Sequence, residues 1–248
     1  MNRIIVLLLL CGLSTGVFAK DFAEYKQERL IARILNQQVK QHISLKNSVS
    51  AILTRFPEQV ELVLDVALEK YPHKYKDIML GAMSAEPVLA CEVIEIVLKA
   101  NVADSSDIIA IAVEAEPAYA QEIVNAAVLN DPTDVENIVR IAIQTEPVVS
   151  QAVISNTMSS FPEKLIDILT GAIKALPEQV ASFVVNAIDM FPQSSKEVVI
   201  QAVTNSEAKH DQLIVESAVK AGFDHESAIS AAIAGGAKAT DLILISQN

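Results

Sequence analysis

Cysteine occurs only twice in this chain of 248 residues, at Cys11 and Cys91, and histidine four times, at His42, His73, His210 and His225. Basic side chains are outnumbered, 19 Lys and Arg against 31 Asp and Glu. Each shortage removes a class of chemistry. With Cys11 inside an N-terminal apolar stretch, Cys91 has no partner for an intrachain disulfide, and it reads as a small core residue of an apolar-periodic helix. No zinc-ligand spacing, glycine-rich phosphate loop or nucleophile elbow occurs. An acidic surface repels nucleic acid and anionic headgroups, so neither is an expected partner, whereas a basic protein or peptide is.

Residues 1–19 read as a secretory signal peptide: Arg3 is the positive start, Ile4–Leu10 the short apolar core, and Val17-Phe18-Ala19 the cleavage region before Lys20. Leu10 stands before Cys11 where lipid attachment requires a small residue. Removing Arg3 leaves 18 basic against 31 acidic side chains, a net charge of −13. No later run is long and apolar enough to span a membrane. Export, to the periplasm or the medium, is the expectation.

What the chain does have is proline on a grid. All nine, Pro57, Pro72, Pro87, Pro117, Pro132, Pro147, Pro162, Pro177 and Pro192, fall 15 residues apart, with one vacant step at Val102. A period this strict marks a repeat array. With proline as position 0, positions 6 and 7 are apolar throughout, from Val63-Leu64 through Ile123-Val124 to Leu213-Ile214. Position 11 is apolar (Leu68, Ile143, Ile188) and position 10 is small (Ala67, Ala112, Ala187). Positions 3, 6, 7, 10 and 11 form the stripe of an amphipathic helix. Proline suits a first helical turn and costs about 3 kcal/mol in a helix interior, so each repeat is expected to hold one helix of about 11–12 residues and a short turn.

The expected fold is therefore all-α: an α-solenoid of about thirteen 15-residue single-helix repeats over residues 42–248, preceded by an N-terminal capping helix over residues 20–41. Glu86, Glu116 and Glu146 precede prolines at a spacing of 30, which pairs the helices into 30-residue units with odd and even members in different surroundings. The form resembles the helical-hairpin arrays, such as tetratricopeptide and HEAT proteins, in architecture alone. The motif P-x-x-V-x-x-I-V-x-x-A-I matches neither signature.

Candidate sites are few. Glu86, Glu116 and Glu146 form a possible acidic row for a basic partner, although a carboxylate beside a helix N-terminus is also explained by the helix dipole. His210 and His225 occupy position 3 of adjacent repeats, which invites a metal pair only if the two helices bring them together. Phe56, Tyr71, Phe161 and Phe191 precede prolines and are expected to pack over helix starts. No catalytic residue, cofactor or metal is assigned. The expected function is a non-catalytic, exported protein-interaction scaffold. The alternative is a self-assembling structural component, associating through the apolar C-terminal stretch Ala231–Leu244.

Overall fold

Each proline opens a turn, and the helix follows it. In the computed structural model, which describes residues 15–240 and Leu242 (residues 15–24 by their backbone alone), eight of the nine prolines begin a three-residue 3-10 turn, such as Pro57–Gln59 or Pro147–Val149. An α-helix of 11 residues then runs from position 3 to position 13 in most repeats. One residue remains, at position 14, before the next proline. Proline disfavours the α region for the residue ahead of it. All nine such residues accordingly leave the helix, with φ between −152° and −134° and ψ between 54° and 99°. The 15-residue step is thus three residues of 3-10 turn, 11 of α-helix and one hinge.

Where proline is missing, the chain turns differently. Asn101, ahead of Val102, closes its helix at φ 50° and ψ 42°. His42 and Gly222, which occupy the proline position, also have positive φ, 64° and 92°. Proline, fixed near −65°, could not adopt any of these. The helices that follow begin on a short polar residue at position 2: Ser44, Asp104 and Asp224. Ser44 and Asp224 accept hydrogen bonds from the backbone N–H groups of Asn47 and Ser227, as N-caps do.

Contacts divide the chain into two compact units, meeting at Glu86 and Pro87. The first holds α1 (Thr15–Lys40), α2 (Leu45–Leu53), α3 (Val60–Lys70) and α4 (Tyr75–Ala85). The second holds α5 (Ala90–Ala100), α6 (Ser105–Ala115), α7 (Ala120–Asn130), α8 (Val135–Thr145) and α9 (Ser150–Ser160). It continues with α10 (Leu165–Ala175), α11 (Val180–Met190), α12 (Ser195–Thr204), α13 (Asp211–Lys220) and α14 (His225–Ala234). No strand occurs among the described residues. Within each unit a helix packs on the next helix and on the next but one, so odd helices form one layer and even helices another. That is an α-solenoid stack, and α1 begins its first unit, packing on α2 and α3. Residues 1–14 of the expected signal peptide and Ile243–Leu244 lie outside the described residues.

The core between the layers is the predicted stripe. Position 10 is buried in every repeat from Ala67 to Ala232, with Val97, Thr157 and Ser217 standing in for alanine. The register slips once. Glu207 replaces proline, the 3-10 turn starts one residue late at Ala208, and α13 is rotated accordingly. Asp211, Ile214, Val215 and Ala218 are buried there, while Leu213, an expected core residue, is 41% exposed.

Glycines set close approaches within the even layers: Gly81 and Gly171 inside helices, and Gly235 at the end of α14, where a Cβ would lie 2.6 Å from the Ile200 carbonyl oxygen of α12. A Cβ at Gly81 of α4 would lie 2.5 Å from the Lys46 carbonyl oxygen of α2. One at Gly171 of α10 would collide with the Glu136 carbonyl oxygen of α8. None of these obstacles is a side chain that can swing away, so only glycine lets these backbones meet.

Candidate interaction surface

Positions 4, 5, 8 and 9 of each helix face away from the opposite layer. On α7, α9 and α11 these positions, with Ser160 at position 13, build a ladder of amides and hydroxyls. Asn125 Nδ2 of α7 donates to Asn156 Oδ1 of α9 at 2.7 Å and to Ser160 Oγ at 3.2 Å. Asn186 Nδ2 of α11 donates to Ser155 Oγ of α9 at 2.7 Å and to Gln151 Oε1 at 3.2 Å. Gln151 Nε2 returns a bond to Ser182 Oγ of α11 at 3.1 Å. The ladder is two bonded clusters joined through α9, and α9 carries no ionisable side chain over its 11 residues, SQAVISNTMSS. In an acidic chain, a neutral helix face of this kind stands apart.

The ladder escapes a search for catalytic or metal motifs because none of its residues is chemically reactive. Its signal in the sequence is periodicity: Asn125 and Ser155 lie 30 residues apart, as do Asn156 and Asn186. The same face begins on α5 with Cys91, which is half-exposed. That corrects the expectation of a core thiol, since position 4 lies outside the buried stripe. Partial burial, then the nearby carboxylates of Glu122 and Glu95, push the Cys91 thiol pKa upward, so little of it is thiolate at neutral pH.

The acidic row divides between the units. Glu86 is the last residue of the first unit and is exposed. Glu116 and Glu146 both belong to the second, at the C-terminal ends of neighbouring even helices α6 and α8 and immediately ahead of the turns that start α7 and α9. Each is held by its backbone. The Glu116 N–H donates to the Ala112 carbonyl at 2.9 Å and its carbonyl accepts from Tyr119 N–H at 3.0 Å. Glu146 repeats the pattern with Ala142 and Val149. Neither carboxylate caps the following turn by a side-chain hydrogen bond. Both are half-exposed, on the edge from which α7 and α9 depart.

His210 and His225 stand apart. The ten residues of α13 lie between them, about 15 Å of helix. His210 is buried, with Nε2 3.3 Å from Glu178 Oε2 and Nδ1 without a hydrogen-bond partner. Glu178 also accepts from Lys209 Nζ at 2.9 Å, and the Lys209 and then the His210 hydrogen bond hold its carboxyl below the usual carboxylate range. No group of three or more His, Cys, Asp or Glu side chains is placed to hold a metal among the described residues. Of the residues ahead of prolines, Tyr71, Phe161 and Phe191 are half-buried and Phe56 is exposed.

Comparison with protein-family models, with curated proteins and with solved structures yields no match.

Proposed function

We propose that this protein is a non-catalytic scaffold, exported to the cell envelope or beyond it, that docks a basic polypeptide segment along the odd layer of its second unit. The observation that carries the reading is one juxtaposition. The half-exposed carboxylates of Glu116 and Glu146 stand where α7 and α9 begin, and the neutral amide ladder covers the outward faces of those same helices and of α11.

The two parts have different roles. Acidic side chains steer a cationic partner, raise its association rate and complement its charge in the complex. The exposed Gln151 and the half-exposed Asn156 and Asn186 each carry one donor and one acceptor group, which matches the N–H and C=O of an extended chain. Exchanging an amide–amide bond for an amide–peptide bond is close to neutral in free energy. Affinity then rests on the area covered and on the partner's charge. Export rests on the signal-peptide character of residues 1–19.

The test is titration of the folded protein with defined Lys- and Arg-rich peptides, monitored by calorimetry. Beside it goes a variant with Glu86, Glu116 and Glu146 all changed to Lys. Binding that weakens at least about tenfold in the variant, with the melting temperature preserved, supports the scaffold reading. A variant that folds and binds the same peptides unchanged removes the acidic row. Absence of any basic ligand at low ionic strength overturns the reading.

A further inference from the structure

One stretch of the first unit carries a charge opposite to that of the rest of the chain. Residues 25–56 hold six basic side chains, Lys26, Arg29, Arg33, Lys40, Lys46 and Arg55, and a single acidic one, Glu28, a net of +5. The remainder of the chain has 13 basic and 30 acidic side chains, a net of −17, which completes the total of −12.

The same stretch borders a groove of about 520 Å³ between α1 and α2, lined by Leu30 and Ile34 on one side and by Ile52, Arg55, Phe56 and Glu58 on the other. Leu30 is 55% exposed and Phe56 53%. The groove lies on the free side of α1. Asn36 faces α3, where its Oδ1 accepts a 2.7 Å hydrogen bond from the Tyr71 hydroxyl. Gln27, nine residues earlier and in the groove lining, is two and a half helical turns away and so on the opposite face. Ile34, two residues from Asn36, is displaced by about 200° and faces the groove as well.

That position has a meaning in the repeat. Each helix of a unit packs on the next and on the next but one. A helix placed one step before α1 would therefore pack on α1 and α2 together, in the groove that Leu30, Ile34, Ile52 and Phe56 leave open. Among the described residues the groove is an unfilled repeat slot on a segment of net positive charge, with Arg55 and Glu58 both in its lining, and a helix with an apolar stripe and acidic flanks fits it.

We propose that a second copy of this chain fills the slot with its C-terminal helix pair, α13 and α14. Residues 207–241 carry six acidic and three basic side chains. On α14, Ile233 is 44% exposed and Ala234 is exposed, while Asp224 and Glu226 flank the helix start. A symmetric contact of groove on groove would set +5 against +5, so the contact joins unlike ends. Unlike ends that do not close a ring generate an open chain of copies. The first and last helices of the array thus continue one another's stacking, with Arg55 of the groove meeting an acidic helix pair.

The experiment is sedimentation velocity of the protein in its natural processed form, across a wide concentration series and at two salt concentrations. The expected result is a sedimentation coefficient that climbs steadily with concentration and falls back when salt shortens the screening length from about 10 Å at 0.1 M to about 3 Å at 1 M. Leu30→Glu with Phe56→Glu disables the groove, and Ile233→Glu disables the other end; each is expected to weaken self-association at least about tenfold. Circular dichroism and melting temperature establish that each variant is folded. Mixed together, the two variants retain one intact surface apiece and form pairs that grow no further. A monomer at all concentrations overturns the proposal, as does growth that the groove variant leaves unchanged. A monomer that binds phosphatidylglycerol vesicles through Leu30 and Phe56 also overturns it, in favour of an anionic bilayer as the occupant.

Discussion

Gly171 and Asn186 occupy the same repeat position, nine residues after Pro162 and Pro177, on consecutive helices of opposite layers. On α10 that position is a glycine pressed against the α8 backbone, and a Cβ there would collide with the Glu136 carbonyl. On α11 it is an amide that reaches across a wider gap to Ser155 and Gln151 of α9. One repeat position therefore does two jobs. At the closest even-layer contacts, helices are joined by backbone contact; at α7–α9–α11 the odd layer is joined by side-chain hydrogen bonds and left polar. An array of near-identical helices becomes two-faced in this way without changing its core.

The largest test of that difference is Gly171→Val. Its side chain meets backbone, so α8 and α10 must separate, at a cost of about 2–3 kcal/mol in urea unfolding. A loss below about 0.5 kcal/mol would show that the even layer yields easily and would break the comparison. Next is Asn186→Ala, which removes two part-exposed hydrogen bonds and is expected to cost about 1 kcal/mol. Its decisive readout is a double-mutant cycle with Ser155→Ala: coupling between the two locates the loss in the ladder, and strict additivity does not.

Thr157→Ala changes the odd layer in the opposite direction. Its hydroxyl is buried without a hydrogen-bond partner at a position where most repeats carry alanine. Removing it is expected to stabilise the fold by up to about 1 kcal/mol. Smaller still is Lys174→Ala on the even face. The Lys174–Glu136 ion pair joins α10 to α8 at 2.6 Å, yet both side chains are 43% exposed. The expected loss is about 0.5 kcal/mol or less, and it should vanish in high salt.

The last even helix adds a pH dependence. Hydrogen bonding from the Ser227 backbone N–H holds the Asp224 carboxyl below its usual range. A carboxyl with a lowered folded-state pKa contributes stability above its unfolded pKa and loses it as pH falls through the folded value. Hydrogen-exchange protection at the first turn of α14, corrected for the intrinsic exchange rate at each pH, should therefore fall below about pH 4, ahead of α10, whose turn starts on Pro162. Asp224→Asn should flatten that response.

Much of the fold was legible in the sequence because burial here is periodic. Val63-Leu64, Ile108-Ile109 and Phe183-Val184 are all buried where the 15-residue stripe puts them. Leu213 broke the rule for a local reason: without a proline at residue 207, nothing pins the start of the turn, and α13 begins one residue late. Cys91 was misplaced because apolar periodicity was credited to a residue at position 4, one step outside the stripe. The acidic residues could be named from sequence, but not their grouping. Glu116 and Glu146 share an edge of the second unit, whereas Glu86 ends the first. A metal pair of His210 and His225 required equal repeat positions to meet, and a whole helix separates them.

The sequence by itself determined the helices, their length and their inward faces. Those properties follow from short-range constraints: the fixed φ of proline, its effect on the residue ahead and the helical spacing of apolar side chains. Only the tertiary structure decided which outward residues become neighbours. Asn125 and Asn156, or Gly171 and Glu136, lie 31 and 35 residues apart in the chain. Their meeting depends on how each layer stacks, which no single repeat encodes. The slot beside α1, open among the described residues, is of the same kind, since it is defined by the contact rule of a stack.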